Sequence, residues 1–287
     1  MTTTFAWLEI TGKCQLECAH CYADSGPAGT HGQMGTADWV RVIDELANAG
    51  LTMVQFIGGE PMLHPSLGTL IERALDHGLN VEVYSNLVHV PAHIWSLLER
   101  EGVSLATSYY SDNPQEHNDI TGRNSHARTR ANIEEAVRRG IPLRAGVVQV
   151  NGGQNAAGAV TELKMLGVKD ASTDENRGVG RGRIPDVSQL CGNCASGVVA
   201  ISPTGEVWPC VFSRWLPIGN VLDETIERIL ASAEAEQTRA DLEREFAGRT
   251  VACSPCLPDT DDCNPRRVYC DPCGPNCKPS HGGRGHA

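Results

Sequence analysis

The chain has 287 residues, with 24 Lys and Arg against 35 Asp and Glu, for a formal charge of −11. That balance argues against non-specific nucleic-acid binding and against docking on anionic lipid. The 40% apolar and 21% charged content fits a folded globular chain of about two domains, and no apolar run approaches the roughly 18 residues of a membrane span. In chain order, short apolar runs predict strands at residues 5–11, 52–58, 80–85, 104–110, 143–150 and 168–173. Amphipathic stretches predict helices between them at 36–49, 65–77, 91–100, 125–139 and 155–166. Trp39, Ile43 and Leu46 recur at helical spacing in the first of these, and Gly50 follows as a C-cap signal. Strand then helix, repeated, implies a parallel sheet with right-handed crossovers: an α/β fold, a partial (βα)6 TIM-type barrel with its chemistry at the C-terminal ends of the strands.

Residues 176–183, Asn-Arg-Gly-Val-Gly-Arg-Gly-Arg, break the pattern. They read as a linker or an active-site loop, a flexible connector being the simpler expectation. They divide a domain of residues 1–180 from one of 181–287. In the second, Pro203-Thr204-Gly205 marks a hairpin between 198–202 and 206–208, and 223–246 reads as one long helix. Past Thr250 the chain is rich in Cys, Pro and Gly, too poor in apolar residues to order itself, so metal ligation is expected to pin it. The second domain is therefore expected to be small, Cys-rich and α+β.

Twelve cysteines are present, three within residues 14–21 and nine after residue 190. With no export signal at the start of the sequence, the expected compartment is the reducing cytoplasm, where dense cysteines mean metal rather than disulfides. Cys14, Cys18 and Cys21 follow the first strand. They suit three irons of a [4Fe–4S] cluster with one iron left open. A structural zinc site, with His20 as fourth ligand, also fits that spacing. Gly58-Gly59-Glu60-Pro61 ends the second strand, where backbone can approach a ligand closely, although Gly and Pro punctuate many plain turns.

Together the two motifs resemble the radical S-adenosylmethionine (SAM) superfamily over roughly residues 5–175. The resemblance implies that the Cys14–Cys18–Cys21 loop, followed by Tyr22, binds a [4Fe–4S] cluster, and that Gly58, Gly59, Glu60 and Pro61 hold the SAM amino group. It places Ser85 and Asn86 near the ribose or carboxylate, Ser108 where the family often has a Ser-Leu-Asp-Gly segment whose Asp is displaced here, and Arg123 where a guanidinium would pair with the SAM carboxylate or stand as a solvated loop cation. Residues 147–150 would pack on adenine or serve the core. It implies reductive cleavage of SAM to a 5′-deoxyadenosyl radical that removes a hydrogen atom from the substrate, the cofactors carrying the hard chemistry.

The later cysteines resemble the SPASM domain, an auxiliary iron–sulfur extension. Cys191, Gly205 and Cys210 match its opening, and Cys253 and Cys256 its next pair. Cys263, Cys270, Cys273 and Cys277 depart from its usual spacing. Two auxiliary [4Fe–4S] clusters need eight thiolates and nine cysteines are present. The first cluster is expected to take Cys191, Cys194, Cys210 and a tail cysteine. Paired zinc knuckles are the alternative.

The resemblance implies oxidative modification of a residue in a ribosomally synthesised precursor peptide, by crosslinking or otherwise. The alternative is a dehydrogenase of a small alcohol or sugar, or of a protein Ser or Cys side chain. Since the first strand begins by Phe5, an N-terminal leader-recognition domain is not expected. The precursor would dock on the barrel or be presented by a separate leader-binding protein, and an external flavodoxin- or ferredoxin-type donor would supply electrons. No nucleic-acid or membrane partner is expected.

Overall fold

A computed structural model describes residues 3–247. Five βα units and a sixth strand come first: β1 (Phe5–Thr11), α1 (Thr36–Asn48), β2 (Met53–Gly58), α2 (Leu67–Asp76), β3 (Asn80–Tyr84), α3 (Ala92–Leu98), β4 (Val103–Tyr109), α4 (Pro114–Thr121), α5 (His126–Arg138), β5 (Leu143–Gln149), α6 (Ala156–Met165) and β6 (Asp170–Glu175). The strands β1 to β6 pair in sequence order, all parallel. This is the expected partial barrel, with six parallel strands.

After β6 come β7 (Val198–Ile201), β8 (Glu206–Trp208), β9 (Gly219–Asn220), α7 (Ile226–Leu230) and α8 (Ala233–Phe246). The hairpin does not form a separate sheet. Strand β7 runs parallel to β1, with Leu8 opposite Ile201, and the sheet order is β6-β5-β4-β3-β2-β1-β7-β8-β9. Cysteines 253, 256, 263, 270, 273 and 277, and the expected metal-pinned tail, lie outside the described residues.

The buried residues of the first four strands face one of two cores, because side chains alternate along a strand. Leu8, Phe56, Val83 and Leu105 turn outward and pack on Trp39, Ile43, Leu46, Leu70 and Ile94 of the helices. Phe5, Trp7, Met53 and Ile57 turn inward and pack on Leu190, Cys194, Trp208, Cys210, Phe212 and Leu242. The C-terminal segment therefore covers the concave face of the barrel, and β1 is buried on both sides. Burying a large apolar side chain contributes about 1.5–3 kcal/mol, so both cores are substantial.

Three expectations are corrected. Helix α4 was not expected: it buries only His117, Ile120 and Thr121 and carries little apolar periodicity, but the Asn113 side chain caps it, accepting from the Gln115 amide at 2.9 Å. The single helix over 223–246 is two helices, because Ser232 acts as a second N-cap and accepts from the Ala235 amide at 3.1 Å. The Gly/Arg segment 176–183 is no loose connector. It contains a 3-10 turn, Gly180–Gly182, laid against the loop after β1. Among the described residues, no helix is long and apolar enough to cross a membrane.

Candidate active site

The loop after β1 is tied down on three sides. Gly12 donates to the Thr30 carbonyl at 2.9 Å, and Cys14 donates to the Gly26 carbonyl at 3.1 Å. Glu17 and Ala19 donate to the Thr121 and Ile120 carbonyls at the end of α4. On the third side, the Gly59 and Glu60 amides donate to the Thr11 and Lys13 carbonyls at 2.7 and 2.9 Å. This last contact explains the two glycines: a Cβ on Gly58 would lie 2.4 Å from the Thr11 oxygen, and one on Gly59 2.3 Å from the Lys13 oxygen. Gly58 also has φ of +127°, which side chains rarely adopt.

Glu60 is fully buried and points away from the cavity. Its carboxylate accepts from the Met62 amide at 3.0 Å, from Ser85 Oγ at 2.8 Å and from the Asn86 amide at 2.8 Å. Burial pushes its pKa up to about 7 against the pull of those hydrogen bonds. Glu60, Ser85 and Pro61, which opens the next turn, thus hold the loops after β2 and β3 together from behind the cavity wall.

The cavity itself, open to solvent, gathers Cys14, Cys18, Cys21, Tyr22, Gly58, Gly59, Asn86 and Ser108. Val148 also lines it, while Val147 turns to the outer core. The Asn86 Nδ2 group lies 3.6 Å from Cys14 Sγ, and Asn86 Oδ1 accepts from Gln15 Nε2 at 3.0 Å. Ser108 Oγ meets Tyr84 Oη at 3.0 Å. Arg123 does not line the cavity; it stands half-exposed at the outside of the cysteine loop, paired with Glu17 at 2.6 Å.

Three thiols face one cavity, and two carry amide donors: Leu16 N to Cys14 Sγ at 3.4 Å, and Ser25 N to Cys21 Sγ at 3.3 Å. Burial, then Glu60, pushes the Cys14 thiol up to about 12; burial, then Cys21, does the same to Cys18. Metal ligation takes the thiolate form, so a cation bound there would displace these protons. Among the described residues, no three His, Cys, Asp or Glu side chains meet around a single point as ligands of one ion would. His20 Nδ1, Tyr22 Oη and Ser25 Oγ, all on the cavity wall, have no hydrogen-bond partner in the structure. Soft donors and unpaired buried polar atoms fit a polynuclear iron–sulfur group with a polar ligand beside it.

Sequence reasoning missed the opposite wall. Asp174 and Glu175 end β6, Arg177 follows nearly buried, and Phe212 comes from the C-terminal segment. The Phe212 ring meets Tyr22 edge-on at 5.3 Å, and the Arg177 guanidinium lies 5.9 Å from the centroid of the same Phe212 ring. The one signal for this wall was the Gly/Arg alternation at 176–183. Two residues before Phe212, Cys210 Sγ lies 3.0 Å from Cys194 Sγ with no disulfide between them, and Cys191 is half-buried nearby in the same core.

A barrel that sets three thiols beside a glycine-lined backbone wall defines an iron–sulfur enzyme of the SAM-dependent class. Comparison with known families agrees. Residues 8–153 match the Radical SAM superfamily, and the chain belongs to it. Residues 191–263 match the SPASM iron–sulfur cluster-binding domain. The chain is 25% identical to the antilisterial bacteriocin subtilosin biosynthesis protein AlbA of Bacillus subtilis, covering 79% of this chain and 59% of that protein. It is 30% identical to the PqqA peptide cyclase of Xanthomonas campestris, covering 49% and 38%. The chain thus spans less than two thirds of these relatives. In fold it resembles Streptococcus suis SuiB bound to S-adenosylmethionine, with a TM-score of 0.68 at 13% identity, over 82% of this chain and 67% of that one. It also resembles anSMEcpe with bound AdoMet and a Cp18Cys peptide, with a TM-score of 0.65 at 14% identity, over 84% and 83%. The family's cofactors are SAM, the [4Fe–4S] cluster that binds it, and auxiliary clusters.

Proposed function

We propose that the protein oxidatively modifies a residue of a ribosomally synthesised precursor peptide. The observation that carries this is Phe212: it lines the same cavity as Cys14, Cys18 and Cys21, yet stands two residues from Cys210. A segment that carries candidate auxiliary-cluster cysteines thus lines the reaction cavity, where net oxidation needs an acceptor, because an electron must leave the substrate. The peptide relatives, AlbA and PqqA cyclase, and the structure of SuiB bound to precursor peptide SuiA support a peptide as the molecule oxidised.

In this reading Cys14, Cys18 and Cys21 hold the cluster, and Cys191, Cys194 and Cys210 with a tail cysteine hold the first auxiliary one. When bound, cluster and SAM supply the radical that takes the substrate hydrogen. Backbone at Gly58 and Gly59, with Asn86, meets the methionine end. Ser108 and Val148 meet the nucleoside. Glu60, Pro61 and Ser85 act from behind, fixing those loops, and Arg123 steadies the cysteine loop through Glu17. Tyr22 and Phe212 exclude water between the two cysteine groups. Arg177 and Glu175 face the peptide. The precursor docks on the barrel or is presented by a separate leader-binding protein, and a flavodoxin- or ferredoxin-type donor supplies electrons.

The test incubates the anaerobically reconstituted protein with SAM, dithionite and short peptides encoded beside its gene, with mass spectrometry of each peptide. The expected result is loss of two hydrogens from one peptide, matched by formation of 5′-deoxyadenosine. If every peptide stays unchanged while a small alcohol is oxidised, the protein is an alcohol dehydrogenase instead.

A further inference from the structure

Arg181 lies in the Gly/Arg segment and reaches across 163 positions of sequence to the first cysteine loop. Its Nη1 donates to the Cys18 carbonyl and its Nη2 to the Ser25 carbonyl, each at 2.5 Å, while its backbone amide donates to the Cys21 carbonyl at 3.0 Å. The preceding Gly180 lies flat on Tyr22: a Cβ there would sit 2.1 Å from the Tyr22 oxygen. The guanidinium is thus clamped by all of its donor groups at the rim of the thiol loop. Its one carboxylate partner, Asp24 at 3.1 Å, is 73% exposed and so is well screened by water. A second cation near Cys21, Arg214, is paired with the buried Glu9 at 2.6 Å.

We propose that Arg181 is a positioning residue that sets the reduction potential of the cluster held by Cys14, Cys18 and Cys21. Reduction adds one electron, supplied from outside, and so one negative charge. A fixed cation beside the thiolates lowers the energy of the reduced form more than that of the oxidised form. The exposed Asp24 opposes it weakly. The clamp also keeps the charge at one distance, since the guanidinium fork is held by two carbonyls.

The experiment is a potentiometric titration of the reconstituted full chain with dithionite and mediators, followed by electron paramagnetic resonance. The first cluster's signal is recognised by its change on adding SAM. Arg181→Gln should shift that midpoint to lower potential. Held at the wild-type midpoint, its ratio of reduced to oxidised cluster should fall about tenfold, equal to about 59 mV for one electron. Arg181→Lys should stay near wild type, and Asp24→Asn should shift upward. An Arg181→Gln protein with full iron and an unmoved midpoint overturns the proposal. So does Arg181→Lys shifting as far as Gln, which would mean the fork matters only as a clamp. If Arg181→Gln cannot retain iron, Arg181→Met, which keeps the bulk of the side chain without its charge, takes its place: a midpoint at the wild-type value overturns the proposal. No peptide enters this measurement, so its failure leaves the proposed substrate standing.

Discussion

Arg214 Nη1 reaches both carboxylate oxygens of Glu9, at 2.6 and 2.7 Å, from a position 205 residues further along the chain. Glu9 is buried on the inward face of β1, and the Arg214 guanidinium lies 4.3 Å from the ring centroid of Trp208. The pair is a strut between the barrel and the segment that covers it. Removing one partner leaves a charge in a low-dielectric site, which typically costs 3–5 kcal/mol; because Arg214 retains some solvent access, the lower end applies, about 3 kcal/mol. Arg214→Met should therefore destabilise the protein by about that much in urea denaturation. Glu9→Gln with Arg214→Met should recover most of it. A double variant no better than the single would show that the pair is not what joins the two parts.

Cys14, Cys18 and Cys21 changed together to Ala should abolish formation of 5′-deoxyadenosine and remove about four irons, one cubic cluster. Iron held by the later cysteines should remain, because Cys191, Cys194 and Cys210 sit in a different core. Iron analysis and chromatography of SAM products check both. Cleavage at the wild-type rate would refute the assignment.

Gly59→Ala should act on the cluster loop without touching a thiol. The added methyl would meet the Lys13 carbonyl, which is backbone and cannot swing aside, and the overpacking costs about 1–3 kcal/mol. The expected outcome is loss of the first cluster's iron with the auxiliary iron kept. Normal iron and normal SAM cleavage would show that the two loops can separate without effect.

His117 gives the stability a pH dependence. It is buried among Tyr109, Tyr110 and His126, and burial, then His126, pushes its pKa down to about 4. The unfolded chain takes up a proton near 6.5, whereas the folded chain resists until about 4. Stability present above 6.5 is therefore lost as pH falls toward 4. Between about pH 7 and pH 5 the loss from this residue is about 2 kcal/mol. His20 and His64 shift in the same direction, so the measurement is the difference between wild type and His117→Phe in urea denaturation at both pH values. Equal slopes for the two proteins would remove His117 from the account.

Much of the barrel was legible because its elements are set by local patterns. Strand β1 spans the expected residues, and the helices agree to within about two residues at each end. Strand β6 begins later than expected because Val168, apolar and buried, belongs to the turn before it, while the strand proper is the polar run Asp-Ala-Ser-Thr-Asp-Glu. The cysteine loop and the Gly58–Pro61 turn were legible as motifs, but not the inward-facing wall. Phe212, Arg177 and Arg181 reach the cavity from residues with no periodicity, through contacts that only the folded chain makes. Nothing near Glu9 signals Arg214 either, since a partner 205 residues away leaves no local trace.

The place of β1 in the sheet also constrains how the molecule can be made. Its two neighbours, β2 and β7, pair with Phe5 through Met53 and Val198, so one edge of the first strand waits until nearly 200 residues have left the ribosome. Until then a long, apolar edge with open amides and carbonyls is exposed, the kind of edge that recruits other chains. A fragment ending near residue 180 keeps all six barrel strands yet leaves that edge open permanently. It should collect in inclusion bodies when the full chain does not, and extending it through Trp208 should restore solubility before any metal is supplied.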